Sequence, residues 1–317
     1  MNIEDVEIKK ELRVIFMGSP SFSVPILESL IKKYNVIAVV TQPDKKIGRG
    51  KQIGITPIKQ LASNNNILVI QPKKIKEEYS EILSLEPDII ITCAYGQIIP
   101  IELLEYPKYG CINVHASLLP KLRGGAPIQR AIMNGYKKTG ITIMYMDTKM
   151  DSGDIIEKQE IEILNDDTYK TLHDKLSLLG KELLIKTLPK ILACNNNRIK
   201  QNEDEVTYGF NITKEDEKIN FSKSKYDIYN QIRGLNGFSG AYCLLATKRI
   251  KVWSSKVSSN HFSNLLNGEI TKIYKEGIGV KVTDGEIIFL MVQPEGKKIM
   301  PASSFANGTS LVGKVFE

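Results

Sequence analysis

The chain has 317 residues, of which 42% are hydrophobic and 25% charged, and a formal net charge of +7. That composition excludes a disordered or fibrous protein, and the length suits about two domains, each with its own core. No apolar run approaches the ~18 residues of a membrane span, and the opening MNIEDVEIKKE mixes acids and lysines. A secretory signal or Arg-rich transit peptide is therefore not expected, and the cytoplasm is the expected location.

Residues 12–17 (LRVIFM) read as a buried strand ending at Gly18-Ser19-Pro20, and Val24, Leu27, Leu30 and Ile31 follow at helical spacing. The turn GSPSFS lacks the second and third glycines of a dinucleotide-binding loop, which argues against a nicotinamide enzyme. VIAVVT (36–41) reads as a second strand. The stretch 41–56, TQPDKKIGRGKQIGIT, then sets Lys45, Lys46, Arg49 and Lys51 against Asp44 alone, with Gly48 and Gly50 bracketing the arginine. It reads as a flexible basic loop, either suited to phosphate contact or simply an exposed surface loop. A short helix over 58–65 and strands at 68–71 and 87–96 follow. Apolar strands alternating with helices predict an α/β half built on a parallel sheet with helices on both faces.

The densest constellation is GCINVHASLLPKLRGGAPIQRAI (110–132). If CINVH is a strand, alternation puts Asn113 and His115 on one face and Ile112 and Val114 on the other. A histidine at a strand end is by default a satisfied core residue. Here its neighbour is an amide, and the chain enters a Pro- and Gly-rich stretch of the kind that carries chemistry at the carboxyl ends of α/β strands. The segment 146–154 (MDTKMDSGD) adds Asp147, Asp151 and Asp154 in a turn. One of them is expected to partner His115 and hold its tautomer, although spacing does not select which.

His173, on a predicted helix over 168–192, reads as structural, and His261 as a solvated loop residue. Cys93, Cys111, Cys194 and Cys243 stand far apart with no C-x-x-C pair, so neither a zinc site nor a redox motif is expected. The text turns polar from Cys194 through 202–205, marking a linker. Short β-like runs at 241–246, 250–257, 268–274, 277–282 and 286–292 then predict a small all-β barrel. Residues 207–317 hold 15 Lys and Arg against 10 Asp and Glu, a balance of +5 that suits a nucleic-acid partner or a merely solvated surface.

With these motifs assembled, the sequence resembles the methionyl-tRNA formyltransferases, which use 10-formyltetrahydrofolate. The resemblance runs through 13–27, 40–59, 94–100, 110–132 and 139–156, and more weakly through 293–300. One departure is Phe238-Ser239-Gly240, where a Trp-Pro-like pair is expected. The resemblance implies a Rossmann-like formyltransferase domain over 1–195, a linker over 196–211 and an OB-like barrel over 212–317 that binds tRNA. It implies Asn113, His115 and Asp151 as the catalytic trio, and Ser117, Leu118, Leu119 and Pro120 as the folate-pocket lining. Arg49, with Lys45, Lys46 and Lys51, would contact initiator methionyl-tRNA. No metal and no membrane association are expected, and the protein is expected to be a monomer. Other folate-dependent formyltransferases or a formyltetrahydrofolate hydrolase domain could share the trio, and a non-catalytic tRNA-binding protein could retain it as a relic.

Overall fold

The computed structural model describes residues 11–47, 52–307 and 310–317. Packing divides the chain into two compact units. One comprises the chain up to Pro127 with Thr139–Ile161 and His173–Gly209, and the other Ile128–Lys138, Glu162–Leu172 and Phe210–Glu317.

The first unit is built on β1 (Arg13–Gly18), α1 (Val24–Lys33), β2 (Asn35–Val40), β3 (Lys45–Ile47), β4 (Gln52–Gly54), α2 (Pro57–Asn64), β5 (Leu68–Ile70), α3 (Ser80–Ser84) and β6 (Ile89–Cys93). There follow α4 (Ile101–Glu105), β7 (Cys111–His115), β8 (Lys138–Tyr145), β9 (Ile155–Glu162) and α6 (Tyr169–Leu192), whose first turn belongs to the second unit, as does α5 (Pro127–Met133) between β7 and β8. Seven strands form one sheet in the order β5-β2-β1-β6-β7-β8-β9. The first five run parallel, and β8 is antiparallel to β7. Chain order reverses between β1 and β6, the kind of switch point beside which α/β sheets place ligand crevices. The central strands are apolar on both faces because helices cover both: every residue of β6 is buried, as are Ile26, Leu27 and Leu30 of α1. Gly180 lets α6 approach the sheet closely, since a Cβ there would lie 3.1 Å from a Val114 methyl.

The stretch 41–56, expected as a flexible loop, pairs as a short antiparallel ladder from Lys45↔Gly54 to Ile47↔Gln52. Its base is held by Asp44, whose carboxylate accepts from Lys59 Nζ at 2.5 Å and Gln71 Nε2 at 2.9 Å. Those two partners hold the Asp44 carboxyl below its ordinary value, the Gln71 hydrogen bond contributing most.

The second unit contains α7 (Lys214–Glu217), α8 (Lys225–Leu235), β10 (Ala241–Leu245), β11 (Lys248–Val257), β12 (Ile270–Ile273), β13 (Ile278–Val282), β14 (Gly285–Pro294), β15 (Met300–Pro301) and α9 (Ala302–Ala306). Its antiparallel sheet runs β10-β11-β14-β13-β12, with β15 on β14. Both outer strands meet the C-terminal segment, through bridges Leu245↔Phe316 and Glu269↔Val315. Phe221, Phe289 and Phe316 pack as a triad in the core beneath.

Hydrogen bonds hold two stretches within their own units of this partition. Residues 202–209 are not a free tether, because Arg123 N–H donates to the Thr207 carbonyl at 2.9 Å and Gly209 N–H to the Arg123 carbonyl at 2.7 Å. Residues 162–172 pack instead with α8, where buried Arg233 donates to the carbonyls of Leu164 (3.1 Å) and Asp167 (2.8 Å). Among the described residues no helix is long and apolar enough to cross a membrane.

Candidate active site

β7 ends at His115, and the pleat carries the Asn113 and His115 side chains to one face, as its alternation requires. The hairpin loop between β8 and β9 brings Asp151 onto both. Its Oδ1 lies 3.4 Å from Asn113 Nδ2 and 3.6 Å from His115 Nδ1, while Oδ2 accepts from the Gly124 N–H at 2.8 Å. The other two acids of that loop face elsewhere. Asp147 folds back on Thr148, and Asp154 pairs with Arg198 at 3.3 Å.

Each group is oriented by a further contact. Thr92 on β6 donates its hydroxyl to Asn113 Oδ1 at 3.0 Å, which turns the amide NH2 toward the carboxylate. His115, 6% exposed, donates Nε2–H to the Leu122 carbonyl at 3.1 Å. That bond assigns the tautomer of the neutral ring and leaves Nδ1 as the ring nitrogen that faces Asp151. Leu122 and Asp151 both hold left-handed backbone, with φ of 60° and 51°. Such non-glycine conformations cost on the order of 1 kcal/mol each and persist where neighbours fix them.

The residues expected to line the folate pocket sit largely inward. Ser117 is buried, with its hydroxyl donating to the Lys121 carbonyl at 2.6 Å, and Leu119 packs with Met144 and Ile155. Pro120 is also buried, and only Leu118 of the four is half-exposed. Lys45 stands exposed on β3, whereas Arg49, Lys51 and the Lys46 side chain lie outside the described residues. His173 is buried and stacks edge-on against Phe22, and His261 is exposed. Burial pushes the Cys93 thiol up to about 12 and raises Cys111 in the same direction, so neither supplies a thiolate nucleophile near neutral pH. No three His, Cys, Asp or Glu side chains converge as a metal site among the described residues.

Thr92 and Leu122 were not singled out in the sequence, whereas Gly124 lies in the Pro- and Gly-rich stretch whose composition pointed to a shaped turn beside His115. Nor was a polar group behind Asp151 singled out: Arg123, 4% exposed, reaches Gln201 and Glu203.

An amide N–H, an imidazole and a fixed carboxylate at the end of a parallel strand suit transfer of a group through a tetrahedral oxyanion. The sequence pattern of the formyl transferase family matches residues 12–188, and that of the formyl transferase C-terminal domain matches residues 211–310. The class is therefore that of the formyl transferases. Methionyl-tRNA formyltransferases from Bacillus cereus (strain AH187) and Bacillus thuringiensis subsp. konkukian (strain 97-27) are each 50% identical over 310 residues, covering 94% of this chain and 96% of the relative. The chain belongs to the methionyl-tRNA formyltransferase family, and its reaction is formyl transfer to methionyl-tRNA. The fold recurs in an N-formyltransferase from Helicobacter canadensis solved with folinic acid and dTDP-3-aminofucose (TM-score 0.67, 23% identity, 88% of this chain and 99% of that one). It recurs also in a methionyl-tRNA formyltransferase from Clostridium thermocellum (TM-score 0.54, 20% identity, 78% and 94%).

Proposed function

We propose that Asn113, His115 and Asp151 carry this transfer, with 10-formyltetrahydrofolate as donor and initiator methionyl-tRNA as acceptor. The observation that carries the reading is the single Asp151 oxygen shared between Asn113 Nδ2 (3.4 Å) and His115 Nδ1 (3.6 Å). The methionyl amine attacks the formyl carbon, a C–N bond forms and an oxyanion develops. The second Asn113 N–H, not directed at Asp151, donates to that oxygen, a contribution of about 2.7–4 kcal/mol in comparable sites. His115 Nδ1 receives the proton the amine loses, with the carboxylate beside it stabilising the imidazolium. Returning that proton to N10 of the folate lets the C–N10 bond break. The folinic acid bound by the Helicobacter canadensis relative supports a folate donor here. Leu118, with the backbone of Ser117–Pro120, forms the nearest part of the donor pocket. Aminoacylated tRNA as substrate implies the cytoplasm.

The test is direct. Purified protein should formylate initiator methionyl-tRNA from 10-formyltetrahydrofolate, and His115→Ala should bind the folate yet transfer no formyl group. A His115→Ala protein that formylates at the normal rate removes the imidazole from the mechanism.

We read the second unit as an OB-like tRNA-binding barrel, supported by its C-terminal segment pairing both outer strands. On β10 and β11, Arg249 lies 4.2 Å over the Tyr242 ring and Lys251 5.6 Å over the Trp253 ring. They border a cleft of about 570 Å³ that also takes in Leu244, Gln293 and Glu295. Cations stacked on aromatics present both charge and flat apolar area, the combination that holds a sugar–phosphate backbone without reading its bases. The basic stretch 41–56, with Lys45, Lys46, Arg49 and Lys51, is assigned to the acceptor end of the same tRNA. The double variant Arg249→Ala/Lys251→Ala is expected to raise KM for tRNA about tenfold at low salt, with kcat unchanged. The slope of log KM against log salt should fall by about 1–2. An unchanged slope would move the tRNA contact off this face.

A further inference from the structure

Behind the trio lies a second layer of polar contacts that the reaction does not itself use. The Gln201 side-chain amide donates both of its hydrogens into the β8–β9 loop, to the Asp151 carbonyl at 2.8 Å and the Gly153 carbonyl at 2.9 Å. Its oxygen accepts from Arg123 Nε at 3.0 Å and Nη2 at 2.9 Å. Arg123 is 4% exposed and completes its fork on Glu203, with Nη2 to Oε1 at 2.7 Å and Nη1 to Oε2 at 3.2 Å. The guanidinium carries only donors, so it fixes which end of the Gln201 amide faces it and directs the NH2 end to the two carbonyls. Six residues further on, Thr207 Oγ1 accepts from Leu122 N–H at 2.9 Å. Leu122 presents its carbonyl to His115 Nε2, and Asp151 presents its carboxylate to Nδ1. The same short stretch of chain thus holds the acceptor on each side of the imidazole, at the two left-handed residues of the site.

We propose that Gln201, aimed by Arg123 and Glu203, is a positioning residue for Asp151, and that the 201–207 segment acts as a strap setting the geometry of both faces of His115. The proposal rests on the trio reading above. An ordinary structural role would need the segment only to cover the surface. Here two of its side chains, Gln201 and Thr207, bond backbone at the positions carrying the carboxylate and the carbonyl. The Arg123 hydrogen bond and charge hold the Glu203 carboxyl below its ordinary range. The grip is therefore complete above the usual carboxylate range and is lost only as pH falls through the lowered value.

The informative variant is Gln201→Glu. It keeps an oxygen for Arg123 and the same shape, but replaces the NH2 donor by an oxygen facing two carbonyls. Expected is a folded protein whose kcat falls 10- to 100-fold, with KM for donor and tRNA within about twofold, because a displacement of about 1 Å costs rate rather than affinity. In the imidazole 15N spectrum, the His115 Nδ1 resonance should move. Arg123→Lys, which keeps the charge but not the fork, should repeat the kcat loss and serves if Gln201→Glu does not fold. Normal kcat and an unmoved Nδ1 resonance in the folded variant overturn the strap. Asp151→Asn measured alongside separates the two ideas: if that variant retains normal kcat, the trio reading fails, and if it loses activity while Gln201→Glu does not, only the strap fails.

Discussion

Asp151→Asn is expected to lower kcat for formyl transfer by about 10²- to 10³-fold while leaving folate affinity nearly unchanged. The change is isosteric, so its effect comes from charge and donor–acceptor polarity. Asp151 Oδ2 accepts from Gly124 N–H at 2.8 Å, and a side-chain amide can satisfy that donor only with its oxygen. Its NH2 must then occupy the Oδ1 position, facing the Asn113 NH2 3.4 Å away, donor against donor. The imidazole loses its counter-charge, and the Asn113 amide is pushed from the direction in which it meets the oxyanion. His115→Ala should cost at least as much, and the double variant little more than the worse single one, because groups acting on one proton and one oxyanion are not additive. Single-turnover formylation at saturating donor and methionyl-tRNA, with calorimetry for folate, measures these quantities. A loss below about threefold for Asp151→Asn would mean that the carboxylate has no part in the transfer.

What could be read in advance follows the kind of regularity each element obeys. The pairing of Asn113 with His115 was legible because a strand has a period of two, and that rule needs no knowledge of neighbours. The choice of Asp151 over Asp147 and Asp154 did not follow from spacing and came only through the family resemblance. It depends on a left-handed φ at 151 and on a backbone N–H at Gly124, 27 residues earlier in the chain. The parallel sheet was legible in its continuous apolar runs, yet α8 went unread. Its buried positions Ile228, Ile232 and Leu235 are diluted by Tyr226 and Tyr229, and the usable signal was the cap, Ser224 accepting from the Asp227 N–H. Residues 196–211 read as a linker because they are polar. Polarity alone does not distinguish side chains facing water from side chains such as Gln201 and Thr207, whose partners are buried backbone groups. The Ser117–Pro120 motif shows the converse, since Ser117 bonds the Lys121 carbonyl within the turn and Leu119 packs with Met144 and Ile155.

Gly153→Ala should be nearly as damaging as loss of the carboxylate, though the residue bears no functional group. An added Cβ would lie 2.0 Å from the Tyr145 carbonyl oxygen and 2.9 Å from its carbon, both backbone atoms that no rotamer change can move aside. The hairpin is closed at this point by Tyr145 N–H donating to the Asp154 carbonyl at 2.9 Å, so relief requires the β8–β9 loop to lift. Asp151, two residues earlier, moves with it and leaves His115 Nδ1 and the Gly124 N–H together. Misplacement of about 1 Å is worth about 10²-fold in rate, and overpacking of this kind costs about 1–3 kcal/mol of stability. Gly296→Ala is the matched control. It imposes strain at a φ of 75° with nothing within 4 Å of the new methyl, so it should lower stability by about 1 kcal/mol and leave kcat alone. Thermal unfolding and kcat measured on both variants separate loss of stability from loss of site geometry. If Gly153→Ala destabilises the protein but turns over normally, the hairpin does not hold Asp151 in place.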